Sequence, residues 1–393
     1  MKPIIWFVCI LFSSVLMAQE MSIGVLRSYN VKRILFSYNQ GSYQIFGDST
    51  DFGAILPNEF VDIRFLSPNK ISMNKGAVHL GNFSKITLVA NQDSNSITLT
   101  SKTPKVKIRK YQGNFELSPE DKGLRIVNLV DMNDYLSGVV ESEGGGGRDI
   151  EYYKVQAIMC RTYALKSIGK HEEEGFQLCD RVHCQAYHSM LRFTPNIRKA
   201  VKATENLVLI DEDEHLAGTF FHANCGGQTS QAAYVWNRDL PYLSSFKDTF
   251  CIYTKQANWE KRVPQQTWAD FLVKKYNYPI YDSLYGAKIF HFEQSERTAF
   301  YHSAELGIPL RDLRRQFKLK STFFSCHPEG LEVVIKGRGV GHGVGLCQEG
   351  AMRMAKYGYN YLQIALFYFP GLKVVNYLDY LYFRQRESHP ENF

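Results

Sequence analysis

A chain of 393 residues is too long for one small core and fits one large domain or two of ordinary size. With 45% hydrophobic and only 22% charged residues, it carries too much apolar surface to remain disordered. The formal charge of +7 suits contact with anionic polymers, but Lys and Arg are scattered along the chain and no nucleic-acid module is visible.

The chain opens with Lys2, an apolar run from Ile4 to Met17 and the small residue Ala18 before Gln19-Glu20. This reads as a secretory signal peptide over residues 1–18. The run is shorter than the roughly 20 apolar residues that span a bilayer, so no transmembrane helix is expected after cleavage. Export to the periplasm or cell envelope follows. It also lets cysteines persist as disulfides or metal ligands. Seven remain after the leader, namely Cys160, Cys179, Cys184, Cys225, Cys251, Cys326 and Cys347, an odd number that leaves at least one outside any intrachain disulfide.

From Ser22 to about Ser101 apolar and polar residues alternate. Val31 to Tyr38, Asn39-Gln-Gly and Tyr43-Gln-Ile-Phe read as a hairpin, and short strands recur at Val61, Ile86 and Ile97. Residues 22–105 are therefore expected to form a small β-rich unit. A short helix is expected at Asn133–Val140 and a clear one from Asp149 to about Ile168. Asp149 can cap the second, and Val155, Ile158, Met159, Thr162 and Leu165 fall on one face. Between them, Glu141-Ser-Glu143 and four glycines read as a flexible loop. Strands return at Leu207 and Leu216–His222, 265 to 319 looks mainly helical, and a strand at Glu332, the glycine-rich loop Gly337–Gly345 and a helix over Gln348–Tyr357 follow. That loop lacks the lysine and hydroxyl pair of a phosphate loop.

Four blocks then carry a resemblance. Tyr135-Leu-Ser-Gly-Val-Val-Glu-Ser-Glu143 with Lys154-Val-Gln-Ala-Ile-Met-Cys-Arg-Thr-Tyr-Ala164 is the first, and Cys184-Gln-Ala-Tyr187 the second. His222-Ala-Asn-Cys-Gly-Gly-Gln-Thr229 with Trp236 and Pro241-Tyr-Leu is the third, and Gly337 to Ala351 the fourth. In this order they resemble the SpoIID/LytB family over about residues 106–373, with 374–393 left as a C-terminal tail. The resemblance implies an α+β fold: a SpoIID-like catalytic domain of helices and strands after the β-rich unit. It implies a peptidoglycan lytic transglycosylase or, alternatively, a non-catalytic wall-binding module that enhances a cell-wall amidase. Peptidoglycan glycan strands would be the partner, with an amidase as a second. The family's catalytic glutamate falls on Glu143, although Gly144 to Gly147 stand where the family commonly has Met-Pro.

Ordinary glycosidases use two carboxylates. A lytic transglycosylase can use one, which protonates the glycosidic oxygen and then takes a proton from the muramyl hydroxymethyl group. Glu143 must then be protonated at rest, through burial or a neighbour such as Glu141. Gln185, Tyr187, His222, His342 and Gln348 are candidates for lining a sugar cleft, and Arg161 and Tyr163 for bracing the catalytic loop. Catalysis requires no cofactor. His171, Cys179, His183 and Cys184 supply two thiolates and two imidazoles, a set that suits a structural zinc. A Cys179–Cys184 disulfide, or a free thiol pair, is the alternative.

Overall fold

The computed structural model describes residues 20–192 and 194–388, so the expected signal peptide lies outside the described residues. Contacts divide the chain into two units, the first ending at Tyr135 and the second beginning at Leu136. The fold is α+β with a β-rich N-terminal region, as the residues suggest.

The first unit is built from two antiparallel sheets. In one the strands run in the order Glu20–Gly24, Gly123–Asp131, Asn114–Glu120, Ile86–Ala90, Tyr43–Gly47, Thr50–Ile55. In the other they run Arg109–Gln112, Ser96–Thr103, Arg33–Gln40, Phe60–Ser67, Lys70–Lys75, Val78–Phe83. Alternate side chains from both sheets are buried, including Ile34, Phe36 and Ile63 from one and Ile45, Leu88 and Phe115 from the other. Phe36 meets Phe115 edge-on at 5.2 Å. This is the interleaved core of a β-sandwich.

Two expectations change here. The hairpin across Asn39-Gln-Gly does not form, because Arg33–Gln40 and Tyr43–Gly47 belong to different sheets. Alternation marks which face of a strand is buried but not which strand lies beside it. The unit also runs past residue 105, since Arg109–Gln112, Asn114–Glu120 and Gly123–Asp131 complete its sheets.

The helices in chain order are α1 (Met132–Gly144), α2 (Ile150–Lys166), α3 (Thr194–Ala203), α4 (Ala232–Trp236), α5 (Gln265–Tyr276), α6 (Leu310–Gln316), α7 (Gln348–Lys356), α8 (Tyr361–Tyr368) and α9 (Tyr377–Ser388). The Asp149 side chain accepts the Glu151 N–H and caps α2 as expected. Apolar periodicity predicts one buried face on α2. In fact Tyr152, Tyr153, Gln156, Ala157 and Cys160 are buried as well. With α3, α7 and α8 packed around it, α2 is the central helix of the second unit.

Strand Leu207–Ile210 pairs with Lys373–Asn376, which with α9 occupies the segment expected as a tail. Residues 265–319 are helical only at α5 and α6, with turns between them. These helices cover the sheet of strands Asn258–Pro264, Glu332–Arg338 and Phe324–Glu329. Trp268 centres that core. It stacks on Phe317 at 4.7 Å, and its indole N–H donates to Ile289 O at 3.1 Å. Trp268→Ala should cost roughly 3–5 kcal/mol. Urea unfolding checks this, and a shift under about 1 kcal/mol would contradict the packing described.

Candidate active site

Glu143 does not sit in a loop. Helix α1 continues through it to Gly144, and Gly145 closes the helix with φ of +65° and an N–H bond to Glu141 O at 3.1 Å. The glycine run is held by Tyr153, whose hydroxyl donates to Gly145 O at 2.8 Å and accepts from the Arg148 N–H at 3.3 Å. Glycine here ends the helix one residue after the carboxylate. Gln348 at the start of α7 donates to Glu143 O at 3.4 Å, bracing the end of α1 rather than lining a groove.

The Glu143 carboxylate borders a cleft of about 470 Å³ whose walls include Tyr163, Lys170, Gln185, Phe220, Trp236 and His342. Burial raises its pKa above the usual carboxylate range, and the Ala186 N–H, donating to Oε1 at 2.9 Å, opposes that shift only in part. A position in the last turn of α1, at the negative end of the helix dipole, acts in the same direction as burial. Oε2 accepts no protein hydrogen bond among the described residues. Glu141 has a different task from the one expected. Its two oxygens accept the N–H groups of Met190 and Arg192, both at 2.8 Å, and so hold the segment that follows Tyr187. Among the described residues lining the cleft, Glu143 is the sole carboxylate.

The other expected lining residues divide into two groups. Gln185 and His342 border the cleft, and Gln185 donates to Cys160 O at 3.3 Å. Tyr187 is buried on Gly138, where a Cβ would come within 2.4 Å of the ring. His222 is buried at 5.5 Å from the His342 ring. Its Nδ1 contacts Val344 O at 3.1 Å; a carbonyl can only accept, so Nδ1 carries the proton. His342 Nδ1 accepts the Val344 N–H at 3.1 Å, which fixes the opposite tautomer. Burial lowers the His342 pKa to about 4 and the His222 pKa well below its usual value, so both rings are neutral at neutral pH.

Arg161 is not among the residues lining the cleft and donates to the carbonyls of Val201, Thr204 and Leu207. Tyr163 is a wall residue that also donates to His183 O at 3.2 Å. Phe220 carries no sequence signal for the site, and Trp236 stands out only as part of a motif block. Their rings lie 4.5 Å apart, and Trp236 is 42% exposed beside His342. An indole that is both exposed and on a cleft wall offers a flat apolar face on which a ligand can stack. If glycan strands are the substrate, as the motif blocks imply, Trp236→Ala should raise their KM roughly 5- to 10-fold, by loss of about 1 kcal/mol of stacking, with kcat less affected. Steady-state kinetics would show an unchanged KM if the ring has no contact with substrate.

His171, Cys179, His183 and Cys184 converge, with their ligand atoms within 4.8 Å of one another. Cys184 Sγ lies 3.4 Å from His171 Nε2 and 3.8 Å from His183 Nδ1, which is itself 3.9 Å from Cys179 Sγ. His171 Nδ1 contacts Glu174 Oε1 at 2.5 Å, leaving Nε2 directed to the cluster. A carboxylate behind a ligating imidazole is the usual outer support of a zinc site. The two-thiolate, two-imidazole set fits tetrahedral zinc and would leave no position for water.

The fold and this cleft define an α+β protein with a β-sandwich at its N-terminus and a groove that presents one half-buried carboxylate beside aromatic rings. Residues 120–210 match the family model described as SpoIID, Stage II sporulation protein. The chain is 27% identical over 272 residues to an uncharacterised protein of Brachyspira hyodysenteriae, covering 68% of this chain and 73% of that one. It is 25% identical to the Stage II sporulation protein D of Bacillus amyloliquefaciens, covering 63% of this chain and 75% of that protein. Against the amidase enhancer of Bacillus subtilis it is 24% identical over 86% of its own length but spans about half, 54%, of that relative. By both comparisons the chain matches the SpoIID/LytB family, the one its motif blocks resemble. No helix among the described residues is long and apolar enough to cross a membrane.

Proposed function

We propose that this protein acts on the cell wall, and specifically that it is a peptidoglycan lytic transglycosylase with Glu143 as both acid and base. The observation that carries the reading is the lone carboxylate of the cleft, held by burial toward its protonated form. In the first step Glu143 gives its proton to the glycosidic oxygen as the bond from that oxygen to the muramyl anomeric carbon breaks. The hydroxymethyl oxygen of the same muramyl sugar then closes onto the anomeric carbon, and its proton returns to Glu143. An anhydro-muramyl end forms, water is not consumed, and the carboxyl is ready for another cycle. One carboxylate suffices for this, whereas hydrolysis with two would need a partner at about 5 to 9.5 Å.

Trp236, Phe220, Gln185 and the neutral His342 would contact the strand. A zinc held by His171, Cys179, His183 and Cys184 would fix the segment that delivers Gln185 and the Ala186 N–H to Glu143. Its role would be structural, because four protein ligands would close the coordination shell.

The relative named amidase enhancer supports a second reading, in which the same groove binds wall without cutting it and stimulates an amidase. Incubating the purified protein alone with glycan strands stripped of stem peptides separates the two. Shortened strands support the transglycosylase. Intact strands, together with faster peptide release when an amidase is added, support the enhancer and overturn the first reading.

A further inference from the structure

A second cluster lies outside the lining of the Glu143 cleft, and its members are spread too widely along the sequence to form a motif. Cys225, Asp248, Cys251 and Cys347 are each fully buried, at 0% exposure, with their ligand atoms within 4.8 Å of one another. Cys225 Sγ is 3.3 Å from Cys251 Sγ and 3.3 Å from Asp248 Oδ2. A tetrahedral zinc with bonds near 2.3 Å to sulfur and 2.0 Å to oxygen has ligand-to-ligand edges of about 3.5–3.8 Å, close to this spacing. We propose that these four residues form a second zinc site, with three thiolates and one carboxylate as ligands.

A buried carboxylate among thiols is expensive without a counter-charge. A disulfide between any two of the sulfurs would still leave the third thiol and Asp248 buried together. A divalent cation satisfies all four donors at once. The hard oxygen in an otherwise soft set favours zinc over cuprous copper.

The surroundings are those of a ligand shell. Cys347 caps α7, and its sulfur accepts the N–H groups of Gly350 at 3.4 Å and Cys225 at 3.3 Å. Asp248 is oriented by the Tyr368 hydroxyl, donating to Oδ2 at 2.9 Å, and by the Phe250 N–H, donating to Oδ1 at 2.9 Å. The buried Arg297 guanidinium donates to Cys225 O at 2.7 Å and to Gln228 O at 2.7 Å. Four anionic ligands on one divalent ion leave an excess of negative charge, which this guanidinium and the N-terminus of α7 would offset.

The site ties together three segments that are distant in sequence. Cys225 belongs to the turn after His222, Asp248 and Cys251 to a second turn, and Cys347 to the end of the glycine-rich loop. That loop pairs with the Cys225 turn through Asn224 and Val340, whose backbones exchange hydrogen bonds at 3.0 and 2.8 Å. Gly226 and Gly339 also approach too closely for any Cβ. The metal would therefore anchor the loop that carries His342 to the cleft wall.

Metal analysis of the purified full-length protein is expected to give two zinc ions per chain. Cys347→Ser and Cys251→Ser should each lower this to one, as should Cys184→Ser at the other cluster. A wild-type content of one zinc that Cys347→Ser leaves unchanged overturns the proposal. Because a variant can fail to fold, the wild-type chain supplies an independent reading. After denaturation in chelator without reductant, Cys225, Cys251 and Cys347 should all be alkylated as free thiols. A disulfide recovered between any two of them overturns the proposal.

Discussion

Glu143→Gln is expected to lower glycan-strand cleavage roughly 10²- to 10⁴-fold, the usual worth of a positioned proton donor and acceptor. Glutamine keeps an acceptor for the Ala186 N–H, so the cleft should retain its shape. The same change should stabilise the protein. Burial raises the Glu143 pKa in the folded state, so between the ordinary carboxylate pKa and the raised one the folded chain binds more protons than the unfolded chain. Stability then falls as pH rises through that window and is fully reduced above it. Glu143→Gln should therefore melt at a higher temperature than the parent at about pH 8, with the gap closing toward about pH 4. The parent's cleavage rate should decline as pH passes the raised pKa, because the acid form is lost. Lower stability of the glutamine variant at the higher pH, or an unchanged rate, would count against a desolvated catalytic acid.

The second large effect concerns His171, Cys179, His183 and Cys184. Structural zinc contributes on the order of 10 kcal/mol in small peptides, and less where the surrounding fold already holds the ligands. Cys184→Ala leaves the Cys225 cluster intact, so it should remove one zinc and lower Tm by about 10 °C or more. Cleavage should also fall, because Cys184 directly precedes Gln185 and the Ala186 N–H that meets Glu143. Full metal content and an unchanged Tm in Cys184→Ala would contradict a zinc at this cluster. A Cys179–Cys184 disulfide recovered from the wild-type chain would do the same.

Motif order in the sequence reached the Glu143 segment, the Cys184 to Tyr187 segment and the glycine-rich loop, which the fold brings into one unit. Local period found α2 and its cap but showed one buried face, since a central helix also buries polar and small residues that a periodicity reading discounts. The glycines after Glu143 read as a mobile loop because glycine weakens helices. The structure uses them instead to end α1 directly behind the carboxylate, with Tyr153 closing the turn. Tyr187, His222 and Gln348 share the motif blocks with residues that border the cleft, but block membership carries no information on which way a side chain points. The Cys225 cluster left no sequence signal because two of its ligands, Cys225 and Cys347, stand 122 residues apart. The pairing of Phe221–His222 with Leu346–Cys347 and of Asn224 with Val340 draws them together.

The most direct measurement is mass analysis of purified glycan strands digested in heavy-oxygen water by the wild-type protein and by Glu143→Gln. Wild-type products are expected to end in anhydro-muramyl sugar, one water lighter than a hydrolysed end and free of heavy oxygen, with almost no product from the variant. Reducing ends carrying heavy oxygen, or equal anhydro product from Glu143→Gln, would contradict it.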